Sequence, residues 1–167
     1  MCSHCHDPSA AQMDRDELIE KRFVFKAKKY GLPSKRTWLF HDLPVDMLQV
    51  IGHAAGDLLR GKPVLAFIDS PARWTLLTTR QVLSWYDNHL HHVLIDEMIS
   101  VRSHAFPGAG ATSEEIAHYK VTWEYLRLVQ CEGTTLVWVP CGEEAFALWN
   151  LLLPFVRSKI RSLKTNP

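Results

Sequence analysis

The longest stretch of strand chemistry in the chain runs from Trp74 to Val101. There Leu76, Leu77, Val82, Leu83, Trp85 and Tyr86 lead to a polar tip, Asp87-Asn88-His89, and a second apolar run spans Leu90 to Ile95. The pattern predicts an antiparallel meander. Val64 to Ile68 adds a strand before it, broken at Asp69-Ser70-Pro71, and Met98 to Val101 adds one after it. Residues 106–113, FPGAGATS, offer little to bury and read as an exposed, mobile linker. The segment HYKVTWEYLRLVQCEGTTLVWVP then reads as two strands joined at Glu132-Gly133-Thr134. Val121, Trp123 and Tyr125 share one face of the first arm, and Leu136 and Trp138 one face of the return.

Helical spacing brackets this region. From Met13 to Tyr30 acids come early and lysines late, as the helix dipole favours, with Gly31 and Pro33 ending the run. Residues 34–42 form a connector in which Trp38, Leu39 and Phe40 tuck against the core. A second helix opens at Pro44, repeats Met47, Leu48, Val50, Ile51, Ala54, Leu58 and Leu59, and ends at Gly61. Gly52 and Gly56 within it would permit close approach of another backbone. The last helix spans Gly142 to Ser162. Phe146, Trp149, Leu153, Val156, Ile160 and Leu163 form the stripe expected on the sheet, and Pro154 bends the helix from another side. Leu148, Leu151 and Phe155 form a second apolar line, to be covered by the amino-terminal helices or, as an oligomer interface, by another subunit.

The expected architecture is therefore α+β: a bent antiparallel β-sheet with a carboxy-terminal amphipathic helix, preceded by two amino-terminal helices. Residues 1–60 read as a helical extension and 61–167 as the β domain with its helix. At 167 residues, 47% apolar, the chain suits one main core. A net charge of +1 gives no field to recruit nucleic acid, so Trp123, Tyr125 and Trp138 read as core residues despite Lys120 and Arg127 nearby. No apolar run is long enough to span a membrane and the first residues lack a signal-peptide stretch, so a cytoplasmic protein is expected. Cys131 and Cys141 lie roughly 20 Å apart on the expected hairpin arms at about 3.3 Å per residue, too far to bridge.

Candidate chemistry is sparse. Cys2, His4, Cys5 and His6 offer zinc-type ligands, although ligands so crowded close a tetrahedron poorly without another segment. His89, His91 and His92 cluster near the hairpin tip, where a polar exposed turn accounts for them with less machinery. Lys35 and Arg36 extend the lysines of the first helix into a local basic patch, and Lys62, Arg73 and Arg80 flank the first strands as candidate contacts for an anionic ligand. No phosphate loop, nucleophile elbow or H-E-x-x-H occurs, so no enzyme activity and no obligatory cofactor are expected.

The segment WTLLTTRQVLSWYDNHLHHVLIDEMISV resembles the bacterial pleckstrin-homology-like (PH-like) domains. In these a strand ending Leu-Thr-Thr-Arg leads through a hairpin to a strand of the I-x-x-I-x-S-V type. Here those positions are Leu77-Thr78-Thr79-Arg80 and Val93 to Val101, and the hairpin strand Leu136 to Val139 and the helix GEEAFALWNLLLPFV fit the same layout. The resemblance covers roughly residues 60 to 162. It implies a partly open seven-stranded β barrel closed at one end by the helix, and a non-catalytic module that binds proteins, peptides or lipid headgroups, some relatives forming oligomers. The expected function is protein contact or self-assembly. The alternatives are metal binding through the amino-terminal cluster and peripheral binding of anionic headgroups.

Overall fold

The computed structural model describes residues 8–104 and 110–165, with side-chain surroundings for 15–104, 110–119 and 121–156. Cys2, His4, Cys5, His6 and residues 106–109 of the expected linker lie outside the described residues. Helix α1 (Pro8–Lys29) is followed by a short strand, β1 (Thr37–Leu39), and helix α2 (Val45–Ala55). Four strands then run in succession: β2 (Pro63–Ser70), β3 (Arg73–Thr78), β4 (Gln81–Tyr86) and β5 (His89–Leu94). A single 3-10 turn, Ile95–Glu97, leads to β6 (Met98–Ser103). Helix α3 (Ser113–Thr122), β7 (Tyr125–Gln130), β8 (Gly133–Trp138) and helix α4 (Glu143–Thr165) complete the chain.

The fold is α+β with two antiparallel sheets, ordered β1-β2-β3-β4-β5 and β6-β7-β8. The meander expected over Trp74–Val101 is present. Its tip is the two-residue turn Asp87-Asn88, both residues at positive φ, the conformation whose twist matches the flanking strands. The expected β barrel is not formed, because the strands divide into two sheets with no ladder between them. The turn at Ile95–Glu97 ends the pairing of β5 before β6 begins, so β6 pairs only with β7.

A ring of hydrogen bonds made partly by side chains joins the sheets where a ladder would have run. The Trp138 backbone N–H donates to Ser84 Oγ at 3.0 Å, and Ser84 Oγ and Thr75 Oγ1 lie 2.7 Å apart. Thr75 Oγ1 donates to the Trp138 carbonyl. Closing the circuit requires Ser84 to donate to Thr75, which leaves none of the four groups unsatisfied. Tyr86 Oη adds a bond to the Leu136 carbonyl at 3.0 Å.

The first sheet is buried on both faces. Leu65, Phe67, Leu77, Val82 and Val93 face a core shared with the second sheet, α1 and α4. Ala66, Trp74, Leu76 and Leu83 face α2, whose Met47, Ile51 and Ala55 recur at helical spacing and close a second core. Residues 8–60 thus contribute to both cores and add β1 to the outer edge of β2.

Four local expectations change. Residues 113–122 are helical, opened by a capping box in which Thr112 Oγ1 accepts from the Glu115 N–H at 3.2 Å while the Glu115 carboxylate accepts from the Thr112 N–H at 2.7 Å. Val121 is therefore a helix residue and not a strand neighbour of Trp123. The connector at 34–42 contains a strand. Helix α2 ends at Ala55, before a 3-10 turn over Gly56–Leu58, and a Cβ on Gly52 or Gly56 would meet nothing within 4 Å, so neither glycine serves a close approach. Finally, both apolar lines of α4 are covered: Ala145, Leu148, Leu151 and Leu152 are fully buried, and Trp149, Leu153 and Val156 of the expected stripe pack on the core, but Phe146 at its start is 42% exposed. The helix lies among β6, α3 and α1, so more than one of its sides is covered.

Candidate functional site

Leu77-Thr78-Thr79-Arg80 forms the end of β3 and the turn into β4, and its Thr79 and Arg80 side chains grip α1. Asp16 accepts from Arg80 Nε at 3.1 Å and Nη2 at 3.0 Å, and from Thr79 Oγ1 at 2.9 Å. Burial alone would raise the Asp16 pKa, but the hydrogen bonds from Arg80 and Thr79 and the nearby guanidinium charges outweigh it and hold the carboxyl below its usual range. Thr79 Oγ1 also accepts from the Lys62 N–H at 2.9 Å, and Lys62 Nζ reaches Glu20 at 2.5 Å. Gly61 makes this crossing fit. Its φ of +72° lies in the left-handed region, and a Cβ there would stand 2.6 Å from Thr79 Oγ1. Only a residue without a side chain takes that conformation and leaves room for the threonine hydroxyl.

Of the three cations expected to meet an anionic ligand, two are thus engaged by carboxylates of α1. The third, Arg73, stacks its guanidinium 5.8 Å from the centre of the Trp138 ring. In the basic patch expected at 35–36, Arg36 Nη2 lies 3.9 Å from Glu144 and 3.7 Å from Cys141 Sγ. His91 stacks on Tyr86 at 4.3 Å, and burial, then the charge of His89, lowers its pKa. Among the described residues no group of three or more His, Cys, Asp or Glu side chains is placed to hold a metal ion. Leu148 and Leu151 have no exposed surface, and Phe155 packs on Phe23 of α1 with ring centres 5.3 Å apart. The second apolar line of α4 is therefore covered by the chain itself. Cys131 and Cys141 are both free thiols.

The exposure of Phe146 opens a different feature. The end of α3 and the start of α4 enclose a shallow cleft of about 290 Å³ lined by Val121, Trp123, Gly142, Glu143 and Phe146. Val121 is 65% exposed on its lip. Behind it runs an aromatic array: Tyr119 stacks on Trp123 at 5.7 Å, Trp123 meets Trp149 edge-on at 5.7 Å, and Phe146 meets Trp149 at 6.1 Å and Tyr30 at 5.9 Å. Trp123 Nε1 donates to the Tyr125 carbonyl at 2.7 Å and Trp149 Nε1 to the Val101 carbonyl at 3.2 Å, so both indoles are pinned before any contact forms. Sequence reasoning misses this cleft because it sets Val121 and Trp123 on one strand. The Thr112-x-x-Glu115 signature is the signal that could have found it.

Comparison with family models, curated proteins and solved structures finds no significant match to the chain.

Proposed function

We propose that the chain is a non-catalytic, cytoplasmic protein-binding module of PH-like architecture that associates with a second copy of itself through the α3–α4 cleft. The observation that carries this reading is the pinned aromatic array behind an exposed apolar lip. Such rigid aromatic surface loses little conformational freedom on contact and resembles the anchor residues of protein interfaces. The near-neutral net charge of +1 leaves little long-range repulsion between copies. Support for the PH-like assignment comes from the order of elements: β2–β5, β6–β8 and then a helix packed against the second sheet. An anionic ligand at Lys62 or Arg80 would first have to displace Glu20 or Asp16.

Light scattering on the full chain tests the proposal. The expected mass is that of a dimer, falling to that of a monomer on Val121→Lys, a substitution at an exposed position that spares both cores. A monomer in both proteins at every concentration would overturn self-association through this cleft.

A further inference from the structure

A second concavity, independent of the α3–α4 cleft, lies between α1 and α4 beside the Ile95–Glu97 turn. Its volume is about 410 Å³, within the range of small-molecule pockets. Its apolar surface is offered by the half-buried Pro154 and Phe155 of α4 over the buried Ile19, Phe23, Ile95 and Leu151. Its lip carries Leu18, which is 61% exposed, together with Arg15, Arg22 and Lys26. Positions 15, 18, 22 and 26 are three or four apart, so these side chains line one edge of the helix.

The charges around the groove do not cancel. Asp16 and Glu20 of α1 are directed at Arg80 and Lys62, away from the lip, and Asp96 is taken by Arg15 at 2.9 Å. Among the described residues no carboxylate pairs with Arg22. The groove therefore presents an apolar floor beneath a positive edge. An occupant that fits needs an apolar tail and an anionic head. The concavity decides its form: a bilayer surface is flat and would span the lips without reaching the floor, whereas a single chain can lie between the helices.

We infer that the α1–α4 groove binds a monomeric single-chain amphiphile with an anionic head, of the fatty-carboxylate class, with the tail against Leu18, Pro154 and Phe155 and the head at Arg22. The inference goes beyond the protein-binding role and does not rest on it.

Titration calorimetry of the full-length protein with sodium laurate below its micelle concentration tests the assignment. The expected result is saturable binding at one site, at least tenfold weaker for dodecyltrimethylammonium and absent for acetate. Arg22→Glu and Leu18→Glu, both at exposed positions, should each weaken laurate at least tenfold while leaving the thermal midpoint and the solution mass unchanged. No saturable laurate binding, equal binding of the cationic amphiphile, or laurate binding undiminished in both variants would overturn it. Sedimentation with phosphatidylserine vesicles in the absence of laurate binding would also overturn it, by putting an anionic bilayer at the groove in place of a monomer.

Discussion

Trp138 meets the first sheet through its backbone, and the two hydroxyls that receive it are small residues in a run of large ones. Ser84→Ala removes the acceptor of a buried N–H and breaks the ring through Thr75. The expected cost is about 1–3 kcal/mol, read as a lower urea midpoint with an unchanged slope. Asp16 gives a pH-dependent counterpart. Its folded pKa lies below its unfolded one, so its contribution is present above the unfolded value and is lost as pH falls through the folded value. Asp16→Asn should therefore destabilise the protein at pH 7 by about 1–2 kcal/mol, and the gap from the native chain should close under acid conditions in denaturant titrations. Neither role is readable from the sequence, where Thr75 and Ser84 are merely polar positions in strands and Asp16 one of several early acids. The Leu-Thr-Thr-Arg motif is legible as a marker, but its grip on α1 depends on contacts more than 60 residues away in the chain.

Elements are legible where one periodicity dominates. The strands from Trp74 to Val101, the hairpin tip and the first turns of α2 follow from their patterns. For α4 the extent is legible and the sharing of its surface is not, because apolar residues occupy two lines and spacing alone does not say that both meet the core while Phe146 stays exposed. Burial of Ala145, Leu148 and Leu152 shows this sharing is set by neighbours on several sides. β1 is three residues long, too short for any alternation to register. α3 is concealed by β-favouring residues near its end and held by its cap. Thr112→Ala should loosen that helix by about 1 kcal/mol, seen as faster amide exchange over 113–122 with little change in the global melting point. Phe23, 1% exposed, ties α1 into the main core, and Phe23→Ala should cost about 3–5 kcal/mol in thermal or urea unfolding.

At the scale of the whole molecule, the order of parts is legible and their closure is not. Strands followed by a terminal helix suggest a single curved wall, whereas the chain builds two sheets and covers the outer face of the larger one with α2. A chain limited to residues 61–167 would uncover Ala66, Trp74, Leu76 and Leu83 and lose Phe23. It should express as an aggregating species without a cooperative melt, and a sharp monomeric transition would contradict that. The seam between the sheets has a further consequence. A backbone ladder is common to every sequence that folds into it, but a join made by the hydroxyls of Thr75, Ser84 and Tyr86 belongs to those side chains alone. The mechanical coupling of the halves is therefore adjustable by substitution, one atom at a time, without rewriting either half.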